Sequence, residues 1–260
     1  MILAIVQARM GSNRLPGKVM KEVLGKPLIG YLFERLQLSR RIDKIIMASA
    51  QDPYNDALCR YVKSLGVDVF RGSEDDVLER YYLAAKPYHP KYVVRITGDC
   101  TLIDPQICDQ LFEAFLREDV DYATLSPSYA EGADCEIFTF AALEEATQKA
   151  VMKSEREHVT LYFSNHPDRF KKYLLPNTCD DSKYRFTVDE PEDYLVVKSV
   201  IEELYQGKSK AFTYAEIKEF FDTHSFTRQL NAHVIRNEGL SISLKNDCVV
   251  KDIEKDSNEK

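Results

Sequence analysis

The sequence predicts an α/β protein, a mostly parallel sheet sandwiched by helices. Short apolar runs alternate with segments of helical spacing through the first 125 residues. That order demands parallel strands joined by right-handed crossovers. The first run, Ile2-Leu3-Ala4-Ile5-Val6, is partly β-branched and has the character of a buried parallel strand. It empties into a glycine-containing basic loop, which is where open α/β sheets take their ligands. The length of 260 residues, 44% hydrophobic, suits one α/β domain or one domain with an appendage.

After the loop, Pro27 to Leu38 carries Ile29, Leu32, Phe33 and Leu36 at helical spacing. Lys44 to Ser49 is a second strand. Leu58, Tyr61, Val62 and Leu65 form one helix face, stopped by Gly66. Val67 to Arg71 is a third strand, Asp76 to Lys86 a helix, and Tyr92 to Ile96 a fourth strand. Asp104-Pro105 opens another helix, with the acid as cap and proline in the first turn. Tyr122 to Leu125 is the next strand. Beyond it the alternation loosens. Cys135 to Phe140 reads as a strand, Ala141 to Ala150 and Glu155 to Ser164 as helices. Phe170 to Leu175 and Tyr184 to Val188 read as strands paired across the segment between them. Helices follow from Pro191 to a stop at Gly207, and from Tyr214 to Asp222. The expected division is a domain over 1–241 and a polar, disordered tail over 242–260.

A net charge of −7 argues against broad affinity for nucleic acid or membranes. No apolar run approaches the roughly 20 residues that cross a bilayer. The start, Met1-Ile2-Leu3-Ala4, has no basic region and leads straight into a strand, unlike a signal peptide. The six cysteines form no Cys-x-x-Cys pair and no zinc spacing, so they are expected as reduced thiols in the cytoplasm.

Gln7-Ala-Arg-Met-Gly-Ser-Asn-Arg-Leu-Pro-Gly-Lys18 is the most informative stretch. Gly11 lets the backbone approach a phosphate, Ser12 offers a hydroxyl, and Arg9, Arg14 and Lys18 neutralise charge. The spacing matches neither the Walker loop nor the dinucleotide pattern. A solvated basic turn is the alternative, but five Lys/Arg against one Glu over 9–26 reverse the charge of an acidic protein. Asp99 follows the fourth strand and Asp189 follows Arg185-Phe-Thr-Val. Two strand-end aspartates meeting at one sheet edge suit Mg²⁺ on a triphosphate, since Mg²⁺ takes one or two carboxylates plus phosphate and water. Loop capping is the alternative for each, and the assignment for Asp104. Asp134 and Glu136 share one face of a strand at period two, suited to a polyhydroxy ligand or to solvent. Arg156 and His158 sit on one helix as anion or hydroxyl contacts, although a lone helical histidine is more often structural.

Taken together, these stretches resemble the cytidylyltransferase family. The match is closest to its spore-coat-polysaccharide branch and more distant to CMP-sialic acid and CMP-Kdo synthetases. The matching pieces are Gln7 to Lys18, Arg71 to Tyr81, Arg95 to Pro105, Gly132 to Glu136, Glu155 to Val159 and Arg185 to Asp193, in family order, and Arg236 to Gly239 resembles a family ending. Thr101 departs from the branch's usual proline, and Ala133 and Cys135 replace bulkier neighbours, which bears on acceptor choice. Asp119-Val-Asp121 has the Asp-x-Asp spacing of metal-dependent glycosyltransferases but falls at a helix-to-strand turn.

The resemblance implies a nucleotide-diphospho-sugar transferase fold with a small antiparallel dimerisation subregion, and a homodimer. It implies CTP over the first loop, with Ala8, Arg9, Gly11, Ser12, Arg14 and Lys18 on the nucleotide and Thr97 beside Asp99. Ser49 and Arg71 would lie near the cytosine and ribose, and Asp99 and Asp189 would hold Mg²⁺. Asp134, Glu136, Arg156, His158 and Arg185 would face a small anionic acceptor: a sugar acid, a sugar phosphate or a phosphonate. The implied reaction is in-line attack of an acceptor oxygen on the α-phosphorus of CTP, expelling pyrophosphate, in surface-polysaccharide or glycoconjugate synthesis. Arg9, Lys18, Asp99 and Asp189 would form the catalytic set. A glycosyltransferase using a preformed nucleotide sugar and a non-catalytic nucleotide-binding module are the rival readings.

Overall fold

A computed structural model describes residues 1–205 and 212–250. In chain order it runs β1 (Ile2–Gln7), β2 (Glu22–Val23), β3 (Lys26–Pro27), α1 (Leu28–Leu36), β4 (Lys44–Ala50), α2 (Asp56–Ser64), β5 (Asp68–Gly72), α3 (Val77–Ala85), β6 (Tyr92–Thr97) and α4 (Pro105–Glu118). Then come β7 (Tyr122–Leu125), β8 (Glu136–Thr139), α5 (Phe140–Lys149), α6 (Lys153–His158), α7 (Leu161–Asn165) and β9 (Lys172–Leu175). Helices α8 (Pro191–Leu204), α9 (Tyr214–Thr223), α10 (Ser225–Gln229) and α11 (Glu238–Lys245) complete the order.

Among the described residues the main sheet has seven strands in the order β5-β4-β1-β6-β8-β7-β9. All neighbours are parallel except β8, which runs antiparallel to both β6 and β7. The strand alternation divides the core. Leu3, Ile5 and Ile46 face α3, α5 and α7, whereas Ala4, Val6 and Met47 face α1, α2, α4 and α8. Both faces are therefore covered, which is why the strands read as continuous apolar runs. Asp104 caps α4, accepting from the Gln106 N–H at 2.8 Å, with Pro105 in the first turn, as expected.

Three expectations differ from the structure. Tyr184 to Val188 is not a sheet strand. Its backbone bonds go to loops: Glu131 N–H donates to the Tyr184 carbonyl at 3.1 Å, Phe186 N–H to Glu131 at 2.8 Å and Val188 N–H to Asp99 at 3.1 Å. The segment is buried throughout, and β9 pairs in parallel with β7 instead. The single helix expected over Glu155 to Ser164 breaks at Val159, whose φ of +50° is costly for a β-branched residue. The tail boundary at 242 falls inside α11. Residues as far as Val250 dock on the domain, with Lys153 N–H on the Cys248 carbonyl and Val250 N–H on Val151, both at 2.8 Å. The expected stop at Gly207 and residues 251–260 lie outside the described residues. Among those residues, no helix is long and apolar enough to cross a membrane, and the six cysteines are free thiols.

Candidate active site

The carboxyl ends of β1 and β6 lie side by side, with Gln7 in register with Thr97. Gly98 makes the approach possible. A Cβ there would sit 2.8 Å from Ala8 Cβ and 3.0 Å from the Gln7 carbonyl oxygen, whereas the Gly98 N–H donates to that carbonyl at 2.8 Å. Asp99 is thereby pressed against the loop after β1. The loop is folded by its own bonds: Ser12 N–H at 3.0 Å and Gly17 N–H at 2.9 Å both reach the Met10 carbonyl. Asn55 Oδ1 accepts from the Met10 N–H at 2.8 Å and ties the loop to the turn before α2.

A second glycine brings in the third corner. Gly132 has φ of +105°, and a Cβ on it would lie 2.4 Å from the Thr187 nitrogen. Only glycine allows the 130–132 turn to lie against 185–188 and carry Asp189 to the cleft. The result is a shared cation. Lys18 Nζ sits 3.0 Å from Asp99 Oδ2 and 2.8 Å from Asp189 Oδ1. Burial alone would lower the Lys18 pKa, but the two carboxylates override it and hold it above its ordinary value. Burial would raise Asp99, and Lys18 reverses that, keeping its carboxyl below its usual range. Arg14 adds contacts at 3.1 Å to Asp189, 3.1 Å to Glu190 and 3.2 Å to Glu238.

Asp189 is held from behind by a buried node. Asp193, with a fully buried side chain, accepts from Arg185 Nε and Nη2 and from the Asp189 and Glu190 N–H groups, all at 2.9 Å. Asn231 Nδ2 adds a bond to it at 2.8 Å. Arg185 also binds Glu131, and reaches Asp189 at 3.1 Å.

The cleft has two continuous lobes. The first, about 310 Å³, lies over the β1 loop, and five basic side chains (Arg9, Arg14, Lys18, Arg80, Arg95) outnumber three acidic ones on its wall. The second, about 530 Å³, opens between β6, β8 and the end of α6. Arg95 and Glu136, facing residues of the antiparallel β6–β8 pair, are ion-paired there. Glu136 also accepts from the Tyr122 hydroxyl and from Thr160 Oγ1, the latter at 2.8 Å. The break at Val159 is what turns Thr160 toward Glu136 after α6 has ended at His158. His158 lines both lobes; burial lowers its pKa, and its Nε2 is buried without a hydrogen-bond partner.

Most sequence-derived candidates meet here. Ala8, Arg9, Gly11, Ser12, Arg14, Lys18, Thr97, Asp99 and Asp189 line the first lobe, and Asp134, Glu136, His158 and Arg185 the second. Three do not. Arg71 is spent on Asp56 at 2.6 Å and on the carbonyls of Ala50, Gln51 and Asp52. Ser49 lies fully buried beside it in the β4–β5 register. Arg156 is a buried clamp, paired with Asp76 and donating to the Thr147 and Ala150 carbonyls at 3.2 and 3.0 Å, and it does not line the second lobe with the other expected acceptor contacts. Asp121 is likewise a turn residue, accepting from the Lys171 N–H at 2.9 Å. Sequence reasoning gave no site role to Arg80, Arg95, Glu131, Thr160 and the 235–240 segment. Arg80, Arg95 and most of 235–240 lie in stretches that carry the family resemblance and Glu131 opens the turn before Asp134, whereas Thr160 carried no signal.

Among the described residues no group of three or more His, Cys, Asp or Glu forms a metal cluster. Asp99 and Asp189 nevertheless fit Mg²⁺. They are two hard oxygen donors close enough to share one cation, in a cleft with room for phosphate oxygens and water.

An open cleft at the carboxyl ends of a parallel sheet, basic over its glycine loop and carrying paired aspartates, defines a nucleotide-handling α/β enzyme. The sequence profile described as cytidylyltransferase matches residues 3–235. The spore coat polysaccharide biosynthesis protein SpsF of Bacillus subtilis is 32% identical over 206 residues, covering 76% of this chain and 85% of that one. A cytidylyltransferase structure from Leptospira borgpetersenii superposes with a TM-score of 0.83 at 35% identity, covering 90% of this chain and 99% of the other. CMP:2-keto-3-deoxy-manno-octonic acid synthetase, solved with CTP, shares the fold at a TM-score of 0.60 and 15% identity, over 78% and 98% of the two chains. The protein belongs to the cytidylyltransferase family, nucleotidyltransferases of the nucleotide-diphospho-sugar transferase fold.

Proposed function

We propose that this protein transfers CMP from CTP to a small anionic acceptor, releasing pyrophosphate, in surface-polysaccharide or glycoconjugate synthesis. The observation that carries the reading is the Lys18 ammonium held between Asp99 and Asp189 at the floor of a basic, glycine-lined lobe. The polysaccharide context comes from the likeness to SpsF, and the CTP assignment from the family and from the nucleotide bound in the 2-keto-3-deoxy-manno-octonic acid synthetase.

In this reading the triphosphate lies along residues 8–18. Arg9, Arg14 and Lys18 neutralise its β- and γ-phosphates and the pyrophosphate that leaves, while the loop's N–H groups and Ser12 orient it. Asp99 and Asp189 would hold Mg²⁺, which when bound neutralises phosphate oxygens and lowers the pKa of a coordinated hydroxyl. The second lobe takes the acceptor, with Asp134, Glu136, His158 and Arg185 around it. His158, kept neutral by burial, borders both lobes beside the acceptor, its Nε2 buried and unpartnered. Catalysis is chiefly positioning and charge neutralisation, as in other phosphoryl transfers. Arg71, Ser49 and Arg156 lie outside both lobes and are given no role in this reading.

The test is pyrophosphate release, four nucleoside triphosphates against a panel of sugar acids, sugar phosphates and phosphonates with Mg²⁺. CTP-dependent release is expected, and release from none of the four, or pyrophosphate-free transfer from nucleotide sugars, overturns the reading. Asp99→Asn should cost on the order of 100-fold in turnover; near-wild-type turnover removes Asp99 from the catalytic set.

A further inference from the structure

An acceptor hydroxyl loses its proton as its oxygen bonds to phosphorus, so the group that takes this proton has to face the second lobe. Six carboxylates line that lobe: Asp99, Glu131, Asp134, Glu136, Asp189 and Glu238. Five are engaged by a cation. Lys18 holds Asp99 and Asp189, Arg185 holds Glu131, Arg95 holds Glu136, and Arg14 holds Glu238. Protonating any of these breaks an ion pair. His158 also borders the lobe, but its Nε2 is buried, and burial lowers its pKa, which weakens it as a base.

Asp134 differs from all of these. Among the described residues its carboxylate has no ion pair, and its sole hydrogen bond is from the Gly132 N–H to Oδ2, at 2.8 Å. Oδ1 keeps its lone pairs free, on a half-buried residue that faces the lobe. Arg236 acts on it only through space, because its guanidinium donates to the Pro127 and Tyr129 carbonyls at 2.9 and 3.0 Å. Burial raises the Asp134 pKa, the Gly132 N–H and Arg236 offset this only in part, and Glu131 and Glu136 add to the rise. A carboxylate raised in this way accepts a proton more readily than an exposed one.

The turn before Asp134 fixes where it stands. Oδ2 folds back on Gly132, and Gly132 packs against Thr187, two residues before Asp189, so closely that a Cβ would lie 2.4 Å from the Thr187 nitrogen. Cys100, the neighbour of Asp99, lines the same lobe. Burial pushes its thiol up, and Asp99 and then Asp134 push it further, so both carboxylates lie within electrostatic reach of it. Asp134 thus stands at the Asp99–Asp189 end of the second lobe, where the two lobes join.

We propose that Asp134 is the general base of the transfer, a role that rests on the reading that the second lobe takes an acceptor whose nucleophile is a hydroxyl. As the acceptor oxygen forms its bond to the α-phosphorus, its O–H bond breaks and the proton passes to Asp134 Oδ1. The bond from the α-phosphorus to its bridging oxygen breaks, and its electron pair leaves on pyrophosphate, beside Arg9, Arg14 and Lys18. The proton then passes to solvent through the open lobe and the carboxylate is restored. Gly132 occupies Oδ2, so Oδ1 is the receiving atom.

The experiment compares wild type, Asp134→Asn and Asp134→Ala in pyrophosphate release with CTP and Mg²⁺, on the hydroxyl acceptor that turns over best in the acceptor panel. Both variants should lose on the order of 100-fold or more in kcat. KM for CTP and the rise in melting temperature produced by CTP should persist. Added formate, a small carboxylate that fits the space left by the side chain, should restore part of kcat to Asp134→Ala but not to Asp134→Asn, whose amide still fills that space. A kcat within about threefold of wild type in either variant overturns the inference. So does a loss confined to acceptor KM, a loss in Asp134→Ala that formate does not relieve, or loss of the CTP shift in both variants, which marks a structural role. Turnover of phosphate or phosphonate oxyanions alone also overturns it, because those nucleophiles have no proton to give up, and leaves cytidylyl transfer standing. Absence of pyrophosphate from every acceptor with the wild-type protein removes the proposed function as well.

Discussion

Replacing Asp193 by asparagine tests how the Asp189 corner of the cleft is held. The carboxylate is fully buried and accepts five hydrogen bonds, two from Arg185, one from Asn231 and two from the Asp189 and Glu190 backbone. An asparagine of the same shape keeps one oxygen for the backbone donors but turns an NH₂ toward Arg185 or Asn231, donor against donor. Breaking a buried ion pair costs about 3–5 kcal/mol. Arg185 retains Glu131 and Asp189 as partners, so the lower end, about 3 kcal/mol, is the expected loss in urea unfolding. Its pH dependence has a definite sign. Burial would raise the Asp193 pKa, but Arg185, the Glu190 N–H and Asn231 override it and hold it below 3.8. A depressed folded-state pKa contributes stability that is complete above the ordinary carboxylate value and is lost as pH falls through the folded one. The gap between wild type and variant should therefore be constant from neutrality to about pH 5 and shrink in stronger acid. A difference below about 1 kcal/mol at pH 7, or one that grows on acidification, would refute the assignment of Asp193 as a buried anion.

Arg156→Met should destabilise the fold by about 3 kcal/mol, because it strands Asp76 and two carbonyls, yet leave acceptor KM within about twofold. A selective rise in acceptor KM would restore the direct contact that the sequence implied. Glu238→Gln frees Arg14 from one competing carboxylate and should tighten CTP binding by up to about fivefold, read by thermal shift against CTP concentration. Unchanged or weaker binding would mean that Arg14 is not limited by this contact.

What was legible in the sequence was what is local. The first strand and its loop are contiguous, so composition and glycine positions sufficed to mark them. Asp99 was readable because lying one step past a strand is a property of its own neighbourhood. Asp189 was placed at the right corner although the segment before it is no strand; five consecutive buried residues gave the apolar texture of one while their hydrogen bonds went to loops. Arg80 and Arg156 were illegible for the opposite reason. Whether a guanidinium opens onto a cleft or is enclosed depends on partners far along the chain, and Arg156 is captured by an aspartate 80 positions away. The Arg95–Glu136 pair depends on β8 entering between β6 and β7 in the antiparallel sense, which neither segment's periodicity encodes.

The same long-range contacts explain why the cleft behaves as one unit. Arg185 touches Glu131 in the second lobe, Asp189 where the two lobes meet and Asp193 in the interior, and Asp189 in turn shares Lys18 with Asp99. Each charge is compensated by a group from another element, so removing one unbalances two. Substitutions at Glu131, Arg185 and Asp189 should then be strongly non-additive, as expected of residues in one network.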